Sequence, residues 1–227
     1  MKKQELNWYN TSESMRFVLE HEFINDVDGC SYEMIYPVQE GDIVLDLGAS
    51  IGIFTWAIMD KASRFYTVEP LIDLIPTIKE NTKGYPVTII NKLLSFENSE
   101  VEFTDGCINN FEPKIVKTID FKTLLKKNNL DYIDYIKVDI EGSEYSLFRD
   151  ENMPFLLNNV RNIVGEFHLG TKELKTEFRY FRDKYLSQFK NFEVRSVDAG
   201  RANIKWDIGN DSFLEYYSEI MIHISNE

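Results

Sequence analysis

The sequence predicts an α/β fold: one domain with a seven-stranded, mainly parallel sheet, one antiparallel edge strand and helices on both faces. Three observations carry this. Short β-branched runs alternate with apolar segments of helix length from residue 42 onward, the pattern of a parallel sheet whose crossovers are helices. The last two strand-like runs follow one another without a long helix, which calls for an antiparallel pairing. The 227 residues, with 43% hydrophobic and 28% charged side chains, suit one soluble domain that builds its core without disulfides or metals.

Residues 1–40 read as an N-terminal helical extension, with Phe17, Leu19, Phe23 and Ile24 offering an apolar side over 12–24. Residues 41–227 read as the globular domain. Ile43, Val44 and Leu45 form a buried strand ending at Asp46 and Gly48, and 51–60 has helix length with Ser50 placed to cap it. A second strand, 65–68, ends at Glu69-Pro70. Asp73 then caps a helix to about residue 83, with Pro76 tolerated in its first turn and Gly84 suited to stop it. Residues 87–90 are a third strand, 93–103 alternate as a hairpin, and 120–127 form a short helix. A fourth strand, 133–138, runs into Asp139-Ile140-Glu141-Gly142, with Ser143 opening the next helix. The fifth strand is 160–167. Leu174, Phe178, Phe181, Tyr185 and Phe189 share one face of a helix over 172–190, and 192–197 and 216–224 are the last two strands.

Lys plus Arg number 25 against 38 Asp plus Glu, a net charge of −13. Nucleic acids and anionic membranes are drawn to basic surfaces, so neither is expected as a partner. The longest nearly apolar stretch, 51–59, is far short of the roughly 18 residues that span a bilayer. No apolar run follows the N-terminal lysines, so no signal peptide is expected and the protein is expected in the cytoplasm. Cys30 and Cys107 lack CxxC spacing and read as reduced thiols. His21, His168 and His223 lack ligand spacing, so no dedicated metal site is expected; His21 reads as surface and His223 as structural.

The strand-to-helix turn Asp46-Leu47-Gly48-Ala49-Ser50-Ile51-Gly52 presents small residues and free N–H groups to a ligand. A dinucleotide fingerprint would need glycine at 50 and 53, where Ser50 and Ile53 stand, and a Walker A loop is absent. The Asp-x-Gly-x-x-x-Gly pattern resembles the nucleotide-binding turn of class I S-adenosylmethionine methyltransferases. Glu69 falls 21 residues after Gly48, where an acid accepts hydrogen bonds from two ribose hydroxyls. Residues 131–151 hold seven acids and two bases, a local charge of −5 that favours a sulfonium cation. Within that run, Asp139 and Glu141 stand at the carboxyl end of a strand, where open α/β sheets bind ligands.

Together, VLDLGASIGIFT, VEP, IDYIKVDIEGSE and IVGEFH resemble the FkbM family of methyltransferases over roughly 42–170, KVDIEGSE being the most specific piece. The family pattern usually has Asn where this chain has Ser50. The resemblance implies a Rossmann-like fold, S-adenosylmethionine as donor, and an oxygen acceptor on a sugar, glycan or small natural product. By position, Asp46, Gly48, Ala49, Ser50 and Gly52 would surround the methionine part of the cofactor, Glu69 would hold the ribose, and Asp139 and Glu141 would border donor methyl and acceptor. His168, with an ordinary pKa near 6.5, is the residue best suited to take the acceptor's proton, with Glu166 on the same strand face to orient it; Asp139 and Glu141 are the other candidates. Asp139, Glu141, Glu166 and His168 also have the chemistry of a hard or mixed metal site, which spacing does not select.

The expectation is therefore an S-adenosylmethionine-dependent O-methyltransferase. Transfer of a methyl group to nitrogen or of an aminopropyl group, or a non-catalytic cofactor-binding scaffold, are the alternatives. The Asn/Asp-Pro-Pro-Tyr/Phe signature of amine methylation is absent. Acceptor specificity falls to the first forty residues, 104–114 and 198–213, where Phe111, Trp206 and Phe213 have the chemistry to stack on a sugar ring but are expected to pack.

Overall fold

Alternation across β1 (Ile43–Leu47) divides the molecule into layers. Leu45 and Leu47 face one side of the sheet and Val44 the other, so each side needs its own apolar cover. The computed structural model describes residues 5–8, 11, 13, 16, 20, 32, 35–103, 113–197 and 202–227. Outside them lie His21, Cys30, Cys107, Phe111 and the helix expected over 12–24, save Glu13, Arg16 and Glu20, which are helical.

After β1 the chain forms α1 (Ile53–Ile58), β2 (Arg64–Val68), α2 (Ile75–Asn81), β3 (Val87–Ile90), β4 (Leu93–Leu94), β5 (Glu100–Phe103), β6 (Lys114–Ile119) and α3 (Phe121–Asn128). β7 (Ile133–Val138), α4 (Met153–Asn159), β8 (Val160–His168), α5 (Lys172–Lys184), β9 (Asn191–Ser196), α6 (Phe213–Tyr216) and β10 (Glu219–Ser225) follow. The main sheet has seven strands in the order β3-β2-β1-β7-β8-β10-β9. β3, β2, β1, β7 and β8 are parallel, and β10 pairs antiparallel with both β8 and β9. This is the Rossmann-like sheet expected, with the antiparallel pairing at the end where no long helix intervenes.

On one side, Leu45, Leu47, Ile136 and Ile163 bury against Phe121, Leu156, Phe178 and Phe181 of α3, α4 and α5. On the other, Val44, Tyr135 and Val164 meet Ile53, Phe54 and Ile58 of α1. Strand order reverses between β1 and β7, which opens a crevice beyond their carboxyl ends.

Local chemistry moves several boundaries. Ser50 and Gly52 adopt left-handed φ of 51° and 80°, so α1 starts only at Ile53 and its N-cap is Gly52, with no side-chain cap; Ser50 does not cap it. Asp73 sits in a 3-10 turn (Ile72–Leu74) and α2 starts from Leu74; its carboxylate pairs with Lys114 instead. Pro76 does occupy the first turn. The hairpin expected over 93–103 is replaced by a three-stranded sheet, β4-β6-β5, because 114–119 forms a strand that pairs parallel with β4 and antiparallel with β5. Ser143 leads into a short 3-10 turn (Glu144–Ser146), and the helix waits until Met153. The last strand starts at Glu219 because Phe213–Tyr216 is helical. Phe213 is buried as expected, but Trp206 is 83% exposed and packs little. No described helix is long and apolar enough to cross a membrane.

Candidate active site

At the end of β1, Gly48 has φ +81°, and a Cβ there would lie 1.6 Å from the Asp139 carbonyl oxygen. Only glycine lets the ends of β1 and β7 touch in this way. The Gly48 and Ala49 amides donate to the Val68 carbonyl at 3.0 and 3.1 Å, which ties the turn to β2. There Glu69 is buried, and its carboxylate accepts from the Ser50 amide at 2.8 Å and the Leu71 amide at 2.9 Å. These two bonds fix the Glu69 carboxylate against the turn. Asn91 fixes the same segment, donating to the carbonyls of Glu69 and Pro70. Ala49 is buried against Ile75 and Ile78, so its side chain serves packing.

Asp46 is buried, with Oδ2 accepting from the Thr55 hydroxyl at 2.8 Å. Its Oδ1 has no hydrogen-bond partner among the described residues. Burial pushes its pKa up, against the opposing pull of Lys137 and Thr55. Lys137 is only 2% exposed, a position lysine takes only when paired. Its Nζ donates to the Gly48 carbonyl at 2.6 Å and lies 3.5 Å from Asp139 Oδ2 and 3.7 Å from Asp46 Oδ1. Burial opposes its charge, but Asp139 and Asp46 outweigh burial and raise its pKa, so it stays an ammonium. Tyr32, from the N-terminal region, donates its hydroxyl to Asp139 Oδ2 at 2.9 Å and lies under the Lys137 ammonium. Sequence reasoning assigned neither Lys137 nor Tyr32 a role. A charged residue between Ile136 and Val138 in a central strand was the available signal for the lysine; nothing in the sequence pointed to the tyrosine.

Across the crevice, Glu166 and His168 do share one face of β8, with Phe167 buried on the other. Glu166 does not orient the ring, however: its Oε1 is 4.0 Å from His168 Nε2. Glu144 does, at 2.9 Å from Nδ1, while its Oε1 also accepts from the Ile140 and Gly142 amides. Nε2 faces Glu141 Oε2 at 3.7 Å. Burial alone would lower the His168 pKa; the bond to Glu144, then its charge and those of Asp139 and Glu166, overcome it and raise the pKa to about 10. The ordinary value near 6.5 therefore does not apply, and the ring is an imidazolium at neutral pH. Asp139, Glu141 and His168 place ligand atoms within 4.8 Å of one another, as do Glu166, His168 and Glu219, a spacing open to a cation. His223 lies apart, buried and stacked on Tyr36, with Nε2 3.0 Å from Asn162 Oδ1; burial lowers its pKa.

The structure thus brings Asp46, Gly48, Glu69 and Asp139 together at the switch point, with Glu141, Glu166 and His168 beside them.

Residues 46–194 match the family model described as the methyltransferase FkbM domain. Among solved structures, the methyltransferase FkbM from Methylobacillus flagellatus KT aligns with a TM-score of 0.54 and 14% identity, over 93% of this chain. This chain spans 58% of that protein's length. An rRNA methylase from Streptococcus thermophilus aligns with a TM-score of 0.53 and 8% identity, over 86% of this chain and 93% of that one. A Streptococcus mutans protein solved in complex with SAH aligns at 0.50 and 9% identity, over 86% and 95%. At these identities the likenesses show the fold. No curated protein matches the chain in sequence.

Proposed function

The chain belongs to the FkbM methyltransferase family, and from that membership we propose that it methylates a hydroxyl on a sugar, glycan or small natural product. The observation that carries this reading is Glu69: a buried carboxylate at the end of β2, fixed by the Ser50 and Leu71 amides opposite the Gly48–Gly52 turn. An acid at the end of the second strand, beyond a glycine turn, suits two ribose hydroxyls. The residues fit S-adenosylmethionine on further grounds. Asp46 Oδ1 is buried and lacks a hydrogen-bond partner among the described residues, and the crevice gathers five carboxylates, of Asp46, Glu69, Asp139, Glu141 and Glu166, against Lys137 and His168. When bound, the cofactor supplies an electrophilic methyl group on a sulfonium.

In this reading the turn from Asp46 through Gly48, Ala49, Ser50 and Gly52 holds the methionine part, and Asp139 borders the methyl. A hydroxyl acceptor must lose its proton, and a protonated His168 does not take it. A carboxylate does, and we assign that role to Glu141, which at 37% exposure is the most open of the acids facing His168 Nε2. His168 then orders Glu141 and Glu166 as a positioning residue. Tyr32, bonded to Asp139, supports a role for the N-terminal extension in closing the domain's crevice. The net charge of −13 favours a small-molecule or glycan acceptor over nucleic acid.

Calorimetric titration of the full chain with S-adenosylmethionine and S-adenosylhomocysteine tests the cofactor. Binding should weaken at least tenfold, about 1.4 kcal/mol, in Glu69→Ala and also in Glu69→Gln, which keeps one carbonyl oxygen for the backbone amides. Absence of binding to either ligand, or binding indifferent to both substitutions, overturns the reading and leaves a scaffold. Methyl transfer to amines in preference to hydroxyls would overturn the oxygen assignment alone.

A further inference from the structure

The chain ahead of β1 reaches the Gly48–Gly52 turn through one side chain, Asn81. Asn81 is the last residue of α2 and is fully buried, a place that costs a polar group dearly unless it is hydrogen-bonded. Its amide serves three backbone groups. Nδ2 donates to the Ile51 carbonyl at 2.8 Å and to the Asn7 carbonyl at 3.2 Å, and Oδ1 accepts from the Asn7 amide at 2.7 Å. Asn81 thus holds Asn7 as a neighbouring strand would, by N–H and C=O together, and holds the turn with its remaining donor. Leu6 and Trp8, on either side of Asn7, pack against the apolar cluster that contains Ile51, Ile53 and Phe54.

Ile51 is where such a hold matters. Its carbonyl belongs to the peptide joining Ile51 to Gly52, and the flanking Ser50 and Gly52 have left-handed φ of 51° and 80°. A left-handed serine is strained and persists only where its surroundings over-determine it. Glu69 fixes the Ser50 amide at 2.8 Å, and Asn81 fixes the next carbonyl. Undocking residues 6–8 would take two of the three bonds from Asn81 and free its amide to turn away from Ile51. We propose that Asn81 is a positioning residue for the cofactor turn and that Asn7 is its latch, so that ligand binding in the crevice and docking of residues 6–8 are coupled. This rests on the reading of that turn as the one that holds the cofactor. Coupling is reciprocal: the factor by which undocking weakens the ligand is the factor by which the ligand holds the segment docked.

The test is calorimetric titration of the full chain with S-adenosylhomocysteine, together with hydrogen exchange at the Asn7 amide. Asn81→Leu, apolar and of similar size, removes all three bonds and should weaken the ligand about tenfold, the scale of one or two hydrogen bonds. Asn7→Pro removes the N–H that Oδ1 accepts and should weaken it severalfold. Asn7→Ala loses the side-chain bond to Glu80 but keeps both backbone bonds, and should bind as the parent does. Saturating ligand should slow exchange of the Asn7 amide in the parent and in Asn7→Ala, by the factor in affinity that Asn7→Pro loses. A residue that only stabilised the fold would lower the thermal midpoint and leave that exchange indifferent to the ligand. If Asn81→Leu does not fold, the two Asn7 variants decide. A parent that binds no ligand overturns the cofactor reading and this inference with it. A parent that binds with an affinity unchanged by Asn7→Pro, or whose Asn7 exchange ignores the ligand, overturns the coupling alone.

Discussion

An imidazole whose Nδ1 is bonded to a buried carboxylate and whose Nε2 faces two more acids titrates with that cluster, not as a free histidine. In His168 the partners are Glu144 at 2.9 Å, Glu141 at 3.7 Å and Glu166 at 4.0 Å, and Asp139 adds its field. The folded pKa, raised to about 10, lies above the unfolded value of about 6.5. The stabilisation is therefore fully present below about pH 6.5 and is lost as pH rises through about 10. Glu144→Gln keeps an acceptor for the Ile140 and Gly142 amides and removes the charge. We expect it to bring the His168 pKa down toward the ordinary range and to flatten the loss of stability across that window. Imidazole titration by NMR, with urea unfolding at both ends of the window, reads both effects. A His168 pKa unchanged in the variant would assign the proton's stability to Asp139, Glu141 and Glu166 instead.

At the scale of elements, the β1–α1 turn holds the crevice together, and its two outer glycines differ in a measurable way. At Gly48 a Cβ would meet the Asp139 carbonyl oxygen at 1.6 Å, a backbone atom of the neighbouring strand; at Gly52 it would meet Ile78 Cγ2 at 3.2 Å. Both carry left-handed φ, which costs a side chain roughly 1–3 kcal/mol. Gly52→Ala should lose about that much in urea unfolding. Gly48→Ala should lose clearly more, because β1 and β7 must part; equal losses in the two variants would mean that the strand contact yields cheaply. The turn was legible in sequence because its glycines and Asp46 follow directly from backbone geometry, and the main strands because β-branched runs announce themselves. β6 was not, since Lys114, Lys117 and Thr118 break its apolar run and its parallel partner β4 lies beyond β5 in the chain. The 3-10 turn at Glu144 was hidden because its own carboxylate, accepting from Ile140 and Gly142, sets the local backbone. Lys137, Tyr32 and Glu144 reach the crevice through register and tertiary contact, which no spacing along the chain encodes.

For the whole molecule, the decisive quantity is the net charge of −13 and where it is concentrated. Lys137 and His168 neutralise part of the crevice, yet Asp46, Glu69, Asp139, Glu141 and Glu166 outnumber them. S-adenosylmethionine carries a net positive charge, and S-adenosylhomocysteine, which lacks the sulfonium, carries none. Most of each ligand's contact surface is shared, so comparing them isolates the field of the protein on one charge. Raising ionic strength from about 0.01 to about 0.1 M shortens the screening length from about 30 to about 10 Å, which removes the distant carboxylates from that field while leaving the nearest ones. The Kd for S-adenosylmethionine should therefore rise severalfold across this range while that for S-adenosylhomocysteine stays level. Calorimetric titration at the two salt concentrations decides it. Parallel responses of the two ligands would show that Lys137 and His168 cancel the crevice's charge, and that donor is distinguished from product by contact alone.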